Sequence, residues 1–388
     1  MAENKDKKVL NVPNIRFKEF EEEWEECRLG EIGKLYKGVG ISKDQLSDNG
    51  EPCILYGELY TKYKSEVINE VISNTNISDN KLVRSNANDV IIPCSGETAE
   101  DIATARCVLN DNVLLGGDLN IIRLHKDNGL FMSYQLNGKR KYDIARVSQG
   151  VSVVHLYGEH LKGIITYCPN LDEQNKIATF LSLLDERIAT QNKIIEELKK
   201  LKVCVRRLIF RTLNCSWFLL SELEASGDIC LKRGNIIPKH EHTDIFCYPV
   251  YSSSVQNGGL MGYNNTYMFN TELVTWSIDG GGNFFYRHKH KFNVTNVSGY
   301  MQLNEAKYNY RFVSEILLWQ HSFMVFDYQT KAHPSVIRSI YKLPDVSLAE
   351  QELIANIFRL LDVKLQNEMT ILKQYQQQKQ YLLCQMFI

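Results

Sequence analysis

The sequence predicts an α+β protein in which two β-rich globular domains are separated by two long helices. The helices form an antiparallel coiled coil, and the domains are related by pseudo-two-fold symmetry. Three observations lead there. A stretch free of Gly and Pro runs from Asp172 to Phe210 and returns in weaker form from Glu350 to Ile388. Both copies carry the same narrow apolar stripe at helical spacing. The segments preceding them repeat one order of short strand signals, as a tandem duplication would.

In chain order, residues 1–26 are a polar lead-in ending in EFEEEWEE, a short helix at most. Residues 27–171 form the first β-rich domain, with strands expected in LGEIGKLYKG (Leu29–Gly38), EPCILYGELYTKY (Glu51–Tyr63), DVIIPCSGET (Asp89–Thr98), ARCVLN (Ala105–Asn110), VLLGGDLNIIRL (Val113–Leu124) and VSVVHLYGEHLKGIIT (Val151–Thr166). FMSYQLNGKRKYDIA between the last two reads as one or two short helices. Residues 172–212 are the first long helix, 213–346 the second β-rich domain and 347–388 the second long helix. Within the second domain, Trp217 with Ser221–Leu223 echoes Trp24 with LGEI, and LKRG echoes LYKG. YPVYSSS stands for PCILYGE, ELVTWSIDGGG for DVIIPCSGE, and IRSIYKLPDV for LKGIITYCPNL.

The apolar stripe of the first helix falls at Ile177, Leu181, Leu184, Ile188, Ile195, Leu198, Val205 and Ile209. Advancing it by 177 positions gives Ile354, Phe358, Leu361, Leu365, Leu372, Tyr375, Leu382 and Met386. A stripe kept to a seven-residue period is a coiled-coil seam. Gln191 and Lys202 interrupt the first copy, Glu368 and Lys379 the second. If facing residues have numbers adding to 570, Gln191 meets Lys379, Lys202 meets Glu368, and every apolar position meets an apolar one. A parallel pairing would oppose the two lysines, and polar seam residues set orientation.

At 388 residues the chain exceeds one core. Its formal charge of -1 excludes a generally basic coat, although Lys193–Arg211 is locally basic. The 10 cysteines show no C-x-x-C spacing, and no signal peptide or long apolar run is present, so a soluble cytoplasmic protein with reduced thiols and no membrane association is expected.

Catalytic signatures are lacking. GVGISKD at Gly38 has neither nucleotide fingerprint, and the prolines are never adjacent, which removes the Asn/Asp-Pro-Pro-aromatic motif of amino-methyltransferases. Pro344-Asp345 with Asp362-Val363-Lys364 mimics a nuclease carboxylate-lysine set, but its sister copy reads Pro169-Asn170 and Asp185-Glu186-Arg187. His240-Glu241-His242 and His288-Lys289-His290 lack a joining carboxylate or Cys cluster, and Cys94 lacks the nucleophile-elbow frame. No catalytic residue and no metal ligand is assigned.

The β-rich domains offer loops whose side chains suit nucleic acid, with Arg, Lys, Asn and Gln for base edges and Ser, Thr, Tyr and glycine-flanked amides for phosphates. The first presents Lys37, then Tyr56, Tyr60, Thr61, Lys62, Tyr63 and Lys64. Further along come Ser95, Gly96, Glu97 and Thr98, and finally Arg146, Gln149 and Gly150. The second presents Tyr251, Ser252, Ser253, Ser254, Asn257 and Tyr263, followed by Trp276, Ser277, Asp279, Asn283, Arg287 and Lys331. Polar loops also serve solubility alone.

With LGEIGKLYKG, LYGELYTKY, YPVYSSSVQNGGLMGY and above all PNLDEQNKIATFLSLLD (Pro169–Asp185), the chain from Leu29 to Ile388 resembles the specificity subunit of type I restriction-modification systems. The resemblance implies two target-recognition domains, each reading one half of a bipartite double-stranded DNA site, and a coiled coil that spaces them. It implies two methyltransferase (modification) subunits and restriction/translocase subunits as partners, with S-adenosylmethionine, ATP and Mg²⁺ on those partners and no cofactor on this chain. The second helix, AEQELIANIFRLLD, loses the Lys-Ile-Ala wording. A rod of about thirty residues at 1.5 Å rise spans roughly 45 Å, a little over one duplex turn of roughly 34 Å. The competing readings are a fused single-chain DNA methyltransferase or nuclease, and a coiled-coil protein-binding scaffold.

Overall fold

The computed structural model describes residues 10–77, 81–150, 152–237, 247–254, 256–279, 281–324, 326 and 331–388. Its contacts separate into two compact units, Met1–Asn192 with Thr370–Ile388, and Lys193–Met369. The long helices run Leu171–Thr212 and Leu348–Gln385, so each unit holds one β-rich segment and a part of both helices.

In the first unit Trp24 is buried against Phe131 and Phe387, with ring centroids 5.7 and 6.3 Å away. Strand Glu25–Arg28 pairs antiparallel with Ile165–Cys168, where the sequence reading expected a short helix. The turn Leu29–Ile32 is helical because Glu31 accepts from the Arg28 N–H at 2.8 Å, the reach-back half of a capping box. A five-stranded sheet follows in the order Gly33–Lys37, Leu119–Leu124, Asp89–Pro93, Arg106–Val108, Val67–Ile68. A second five-stranded sheet is made of Leu46–Ser47, Ser73–Thr75, Glu51–Ile54, Leu114–Leu115 and Val83–Arg84.

The second unit repeats this plan. Strand Trp217–Leu219 pairs with Lys342–Pro344, and Glu222 accepts from the Leu219 N–H at 2.7 Å to start the helix Leu220–Ala225. Its six-stranded sheet has the order Ile229–Arg233, Ser298–Leu303, Phe269–Ser277, Phe284–Val294, Tyr248–Tyr251, Leu260–Asn264. The first four strands are antiparallel in both sheets, and in both the fifth joins parallel. Duplication is therefore written in the topology. One echo is corrected: Tyr248–Tyr251 takes the place of Val67–Ile68, while Glu51–Ile54 belongs to the other sheet. Two strands expected whole are also interrupted, at the helical turns Glu58–Thr61 and Gly158–Leu161.

The repeated Glu-Gln at each helix start has a physical reason. Gln174, 2% exposed, donates from Nε2 to Pro169 O at 2.9 Å and to Asp127 Oδ1 at 2.8 Å, and its Oε1 accepts from Asn128 N at 2.9 Å. Gln351, 1% exposed, donates to Val346 O at 2.9 Å and to Lys307 O at 2.8 Å, and accepts from Asn309 N at 2.9 Å. Asn128 and Asn309 are the N-caps of the helices Gly129–Asn137 and Tyr310–His321. One buried amide thus fastens each long helix to a short helix of its own unit.

The predicted stripe is the face the long helices bury. Ile177, Leu181 and Leu184 cluster with Leu382 and Met386 in the first unit, and Val205 and Ile209 with Ile354, Phe358 and Leu361 in the second. The polar pairing differs from the expected one. Lys202 pairs with Asp362 at 2.6 Å and Glu315 at 3.2 Å, not with Glu368, which is held by Lys364 at 2.5 Å. Lys379 pairs with Asp185 at 2.5 Å and with Glu66, while Gln191 borders a cleft with Arg187, Thr190 and Tyr375. Lys202 with Asp362, Arg206 over the Phe358 ring, and Asp185 with Lys379 each add to 564, six short of the expected 570. Third elements explain these polar partners. Glu315 of a short helix recruits Lys202 and Arg206, and Tyr134 of the other donates to Asp185 at 2.7 Å.

Lys379 and Asp362 are Lys202 and Asp185 advanced by 177, so one contact is made twice with the helices exchanging roles. The two versions are not equally neutralised. Lys379, Asp185 and Glu66 are all buried. Burial pushes the Glu66 carboxyl up, but Lys379 and Arg106 outweigh it and hold it low; at Asp185 burial prevails and the carboxyl is raised. Around Asp362 and Glu315, Arg311 and Arg206 stand beside Lys202.

Lys379→Met is expected to lose about 3–5 kcal/mol in urea unfolding, because two buried carboxylates are left short of charge. Lys202→Met, with two arginines remaining, is expected to lose about 1.5–3 kcal/mol, and equal losses would refute the asymmetry. Gln174→Ala removes three hydrogen bonds and leaves buried partners unsatisfied, for an expected loss of about 2–4 kcal/mol.

Candidate nucleic-acid interface

Much of what the sequence nominated in the first domain converges on one cleft of about 750 Å³. Tyr56, Tyr60, Thr61, Lys64, Ser95, Gly96 and Glu97 line it, together with Asp101, Thr104, Arg106 and Val153. The helical turn Glu58–Thr61 supplies one wall, and Lys64 is turned back on it, donating to Tyr60 O at 2.6 Å. The other wall is the strand Ser95–Gly96, paired with Val154–His155. Tyr60 Oη crosses between them, donating to Ser95 O at 2.9 Å, and burial pushes its phenol well above the ordinary range. A Cβ at Gly96 would stand 3.0 Å from that hydroxyl, so the strand must approach without a side chain.

Val153 borders the same cleft, next to an antiparallel bridge between Gln149 and His155. Gln149 and His155 exchange backbone hydrogen bonds of 2.8 and 2.7 Å, and Gly150 holds φ +121° where a Cβ would strike Val153 O at 2.1 Å. His155 Nδ1 lies 3.2 Å from Ser95 Oγ. Arg146 is exposed on the helix just before. Arg106, His155 and Val153 were missed by sequence reasoning, because a strand Arg and a lone His between apolar residues carry no local signal.

Other nominees of the first domain serve the fold. Tyr63 is buried; its hydroxyl accepts from Ile72 N at 3.1 Å and its carbonyl from the Arg106 guanidinium. Lys62 is drawn to Glu58 at 2.7 Å and Ser73 Oγ at 2.6 Å. Thr98 caps the turn Ala99–Ile102, and exposed Lys37 lies 4.0 Å from Asp118.

In the second domain the nominees gather around the strand Tyr248–Tyr251 and the turn after it. Tyr251 lies under the Arg287 guanidinium at 3.6 Å, and its hydroxyl is 3.1 Å from His290 Nε2. Ser252 N donates to Gly259 O at 2.8 Å, and Ser253 O accepts from Ser277 Oγ at 2.6 Å, so the serines organise the turn. Ser254, Asn257 and Tyr263 are exposed. Trp276 and Ser277 are buried, Trp276 Nε1 donating to Ala332 O at 2.7 Å. Gly299 is the reason the indole fits, since a Cβ there would come within 2.1 Å of the ring. Asn283 accepts through its carbonyl from Ser277 N at 3.1 Å, and Lys331 pairs with Asp279 at 2.9 Å.

The residues that mimic catalytic motifs are otherwise engaged. Asp362 is held by Lys202 and Arg311, and Lys364 by Glu368. His290 uses Nε2 on Tyr251 and Nδ1 on His288 O, at 2.6 Å. His240 and His242 lie outside the described residues. Burial pushes the Cys94 thiol up to about 11, which suppresses its thiolate at neutral pH. Among the described residues no group of three or more His, Cys, Asp or Glu could hold a metal ion, and no helix is long and apolar enough to cross a membrane.

Comparison with known proteins gives this geometry a lineage. A Mycoplasma pneumoniae protein named as a type I specificity subunit is 35% identical over 152 residues, 37% of this chain and 48% of that one. The specificity subunit of the type I restriction enzyme MjaVIII from Methanocaldococcus jannaschii is 27% identical over 49% of this chain and 42% of its own length. The chain thus spans about half the length of these curated relatives. In fold it is similar to a type I restriction-modification S subunit from M. genitalium, with a TM-score of 0.62 at 17% identity over 97% of this chain and 99% of that one. The family described as type I restriction modification DNA specificity domain matches residues 21–200 and 222–377, and this chain belongs to it.

Proposed function

We propose that this chain is the DNA-reading, non-catalytic subunit of a cytoplasmic type I restriction-modification assembly. Each β-rich unit reads one half of a bipartite double-stranded target, and the long helices, paired as an antiparallel coiled coil, set the gap between the halves. Two modification subunits dock on the helices, restriction/translocase subunits join them, and S-adenosylmethionine, ATP and Mg²⁺ are handled by those partners.

The observation that carries this reading is the combination of one frame with two surfaces. Strand order, glutamine anchor and Lys–Asp contact are duplicated. The exposed polar groups are not: a cleft framed by Tyr56 and Glu97 in one unit, a glycine-rich turn beside Tyr263 in the other. Constant frames with different polar surfaces suit two different half-sites. Docking of two like partners is supported by apolar side chains left in solvent at matching positions of both helices. Phe180 and Ile357 are each 38% exposed, Leu183 and Leu360 53% and 59%.

Replacing residues 213–346 by the corresponding segment of a relative is expected to change one half of the methylated sequence and leave the other and the gap intact, as read by genome-wide methylation mapping. Changes in both halves would reject the division of labour. Removing one heptad from each long helix, seam preserved, is expected to shorten the unspecified gap; an unchanged gap would remove the spacer role.

A further inference from the structure

This inference rests on the reading of the second unit as a DNA-contacting surface. Arg287 lies on the strand Phe284–Val294 beside a bulge, where the pairing slips between Thr271 and Leu273. It is 7% exposed. Its Nε donates to the neutral Thr275 Oγ1 at 2.9 Å, and its guanidinium lies over the rings of Tyr251 and Phe285, at 3.6 and 4.8 Å. The plane is thereby fixed. Arg206 is bound to Glu315, and Arg106 feels Glu66 and Asp185, whereas among the described residues no carboxylate bears on Arg287. Burial pushes the guanidinium down to about 10, so it remains cationic at neutral pH.

The terminal nitrogens look toward the turn Gln256–Gly259. A Cβ at Gly258 would lie 3.9 Å from Nη1, and one at Gly259 3.4 Å from Nη2. Both glycines have left-handed φ, +60° and +81°, so at these two positions the chain passes the guanidinium edge without placing a side chain over it. A buried cation without an anion is unfavourable unless one arrives from outside.

We propose that Arg287 is a phosphate-binding residue, receiving a backbone phosphate oxygen of the target DNA on its Nη1–Nη2 edge beside the Gly258–Gly259 turn. A phosphate supplies the missing negative charge as well as acceptors in the geometry a guanidinium matches. Guanine O6 and N7 would supply acceptors alone.

The test is a salt titration of the full chain binding two unrelated mixed-sequence duplexes, read by fluorescence anisotropy. Arg287→Gln is expected to weaken binding to both by a similar factor, about tenfold near 0.1 M salt, and to reduce the slope of log affinity on log salt by about one. Arg287→Lys restores the charge and is expected to return the slope to that of the natural chain, which a misfolded protein would not do. An Arg287→Gln slope equal to that of the natural chain overturns the proposal, as does a loss confined to duplexes carrying one particular base pair, or an Arg287→Lys slope matching Arg287→Gln. If the natural chain itself shows no salt-dependent binding, the DNA reading of this unit falls first and takes the proposal with it.

Discussion

Each β-rich unit depends on a buried side-chain amide that has nowhere else to satisfy its hydrogen bonds. Gln174 and Gln351 join a carbonyl five residues upstream, a polar group of the β-rich segment and the N-cap residue of a short helix. An amide this deep tolerates little displacement, because each lost bond leaves a desolvated group behind. The short helix is therefore set at one angle to the long one, and it carries the sheet with it. Asp185 and Asp362 add a charged contact about three turns further along, each to the lysine of the opposite helix. Surfaces remote from this anchor are free to differ.

The periodic part of this design was legible in the sequence. A seven-residue stripe without Gly or Pro marks one face of a long helix, and most of its positions join the buried clusters of the two units. The duplication was legible for the same reason, since the amide and the Lys–Asp contact need one residue type at one place. The partners of the polar seam residues were not. The 570 pairing matched two helices to each other alone, whereas Glu315, Glu66 and Tyr134 come from elements distant in sequence and outbid the facing seam residues for the charges. The two-residue strand Val67–Ile68 is too short for periodicity to mark, and the capping glutamates Glu31 and Glu222 turn stretches of strand-like composition into helical turns.

The candidate surface was legible in composition and not in exposure. Tyr56, Tyr60, Lys64 and Ser95 to Glu97 were gathered from two separate loops, and the fold brings them to one cleft. Tyr63, Trp276 and Ser277 had equal standing by residue type, yet they fill the interior. For Trp276 and Ser277 a signal existed, since they sit in the apolar run LVTWSI, where a buried central strand is the simpler reading. Tyr63 had no such flag. Its burial follows from packing with Ile54, Leu59 and Ile68, and with Ile91 and Val108 from elements distant in sequence.

A chain of charge -1 that reads DNA cannot rely on a general positive field. Several of its exposed lysines are answered in place, Lys331 by Asp279, Lys199 by Glu196, Lys200 by Glu197 and Lys162 by Glu159. Exposed pairs of this kind contribute little to stability, but they flatten the potential that would otherwise hold any duplex. Affinity then gains most from cations whose charge is left unanswered and whose orientation the protein dictates. Arg287 meets both conditions: aromatic rings and Thr275 hold its plane, and among the described residues no acid stands against it. Its burial also makes the contact selective, because only a group that fits against the Gly258–Gly259 turn can reach the charge.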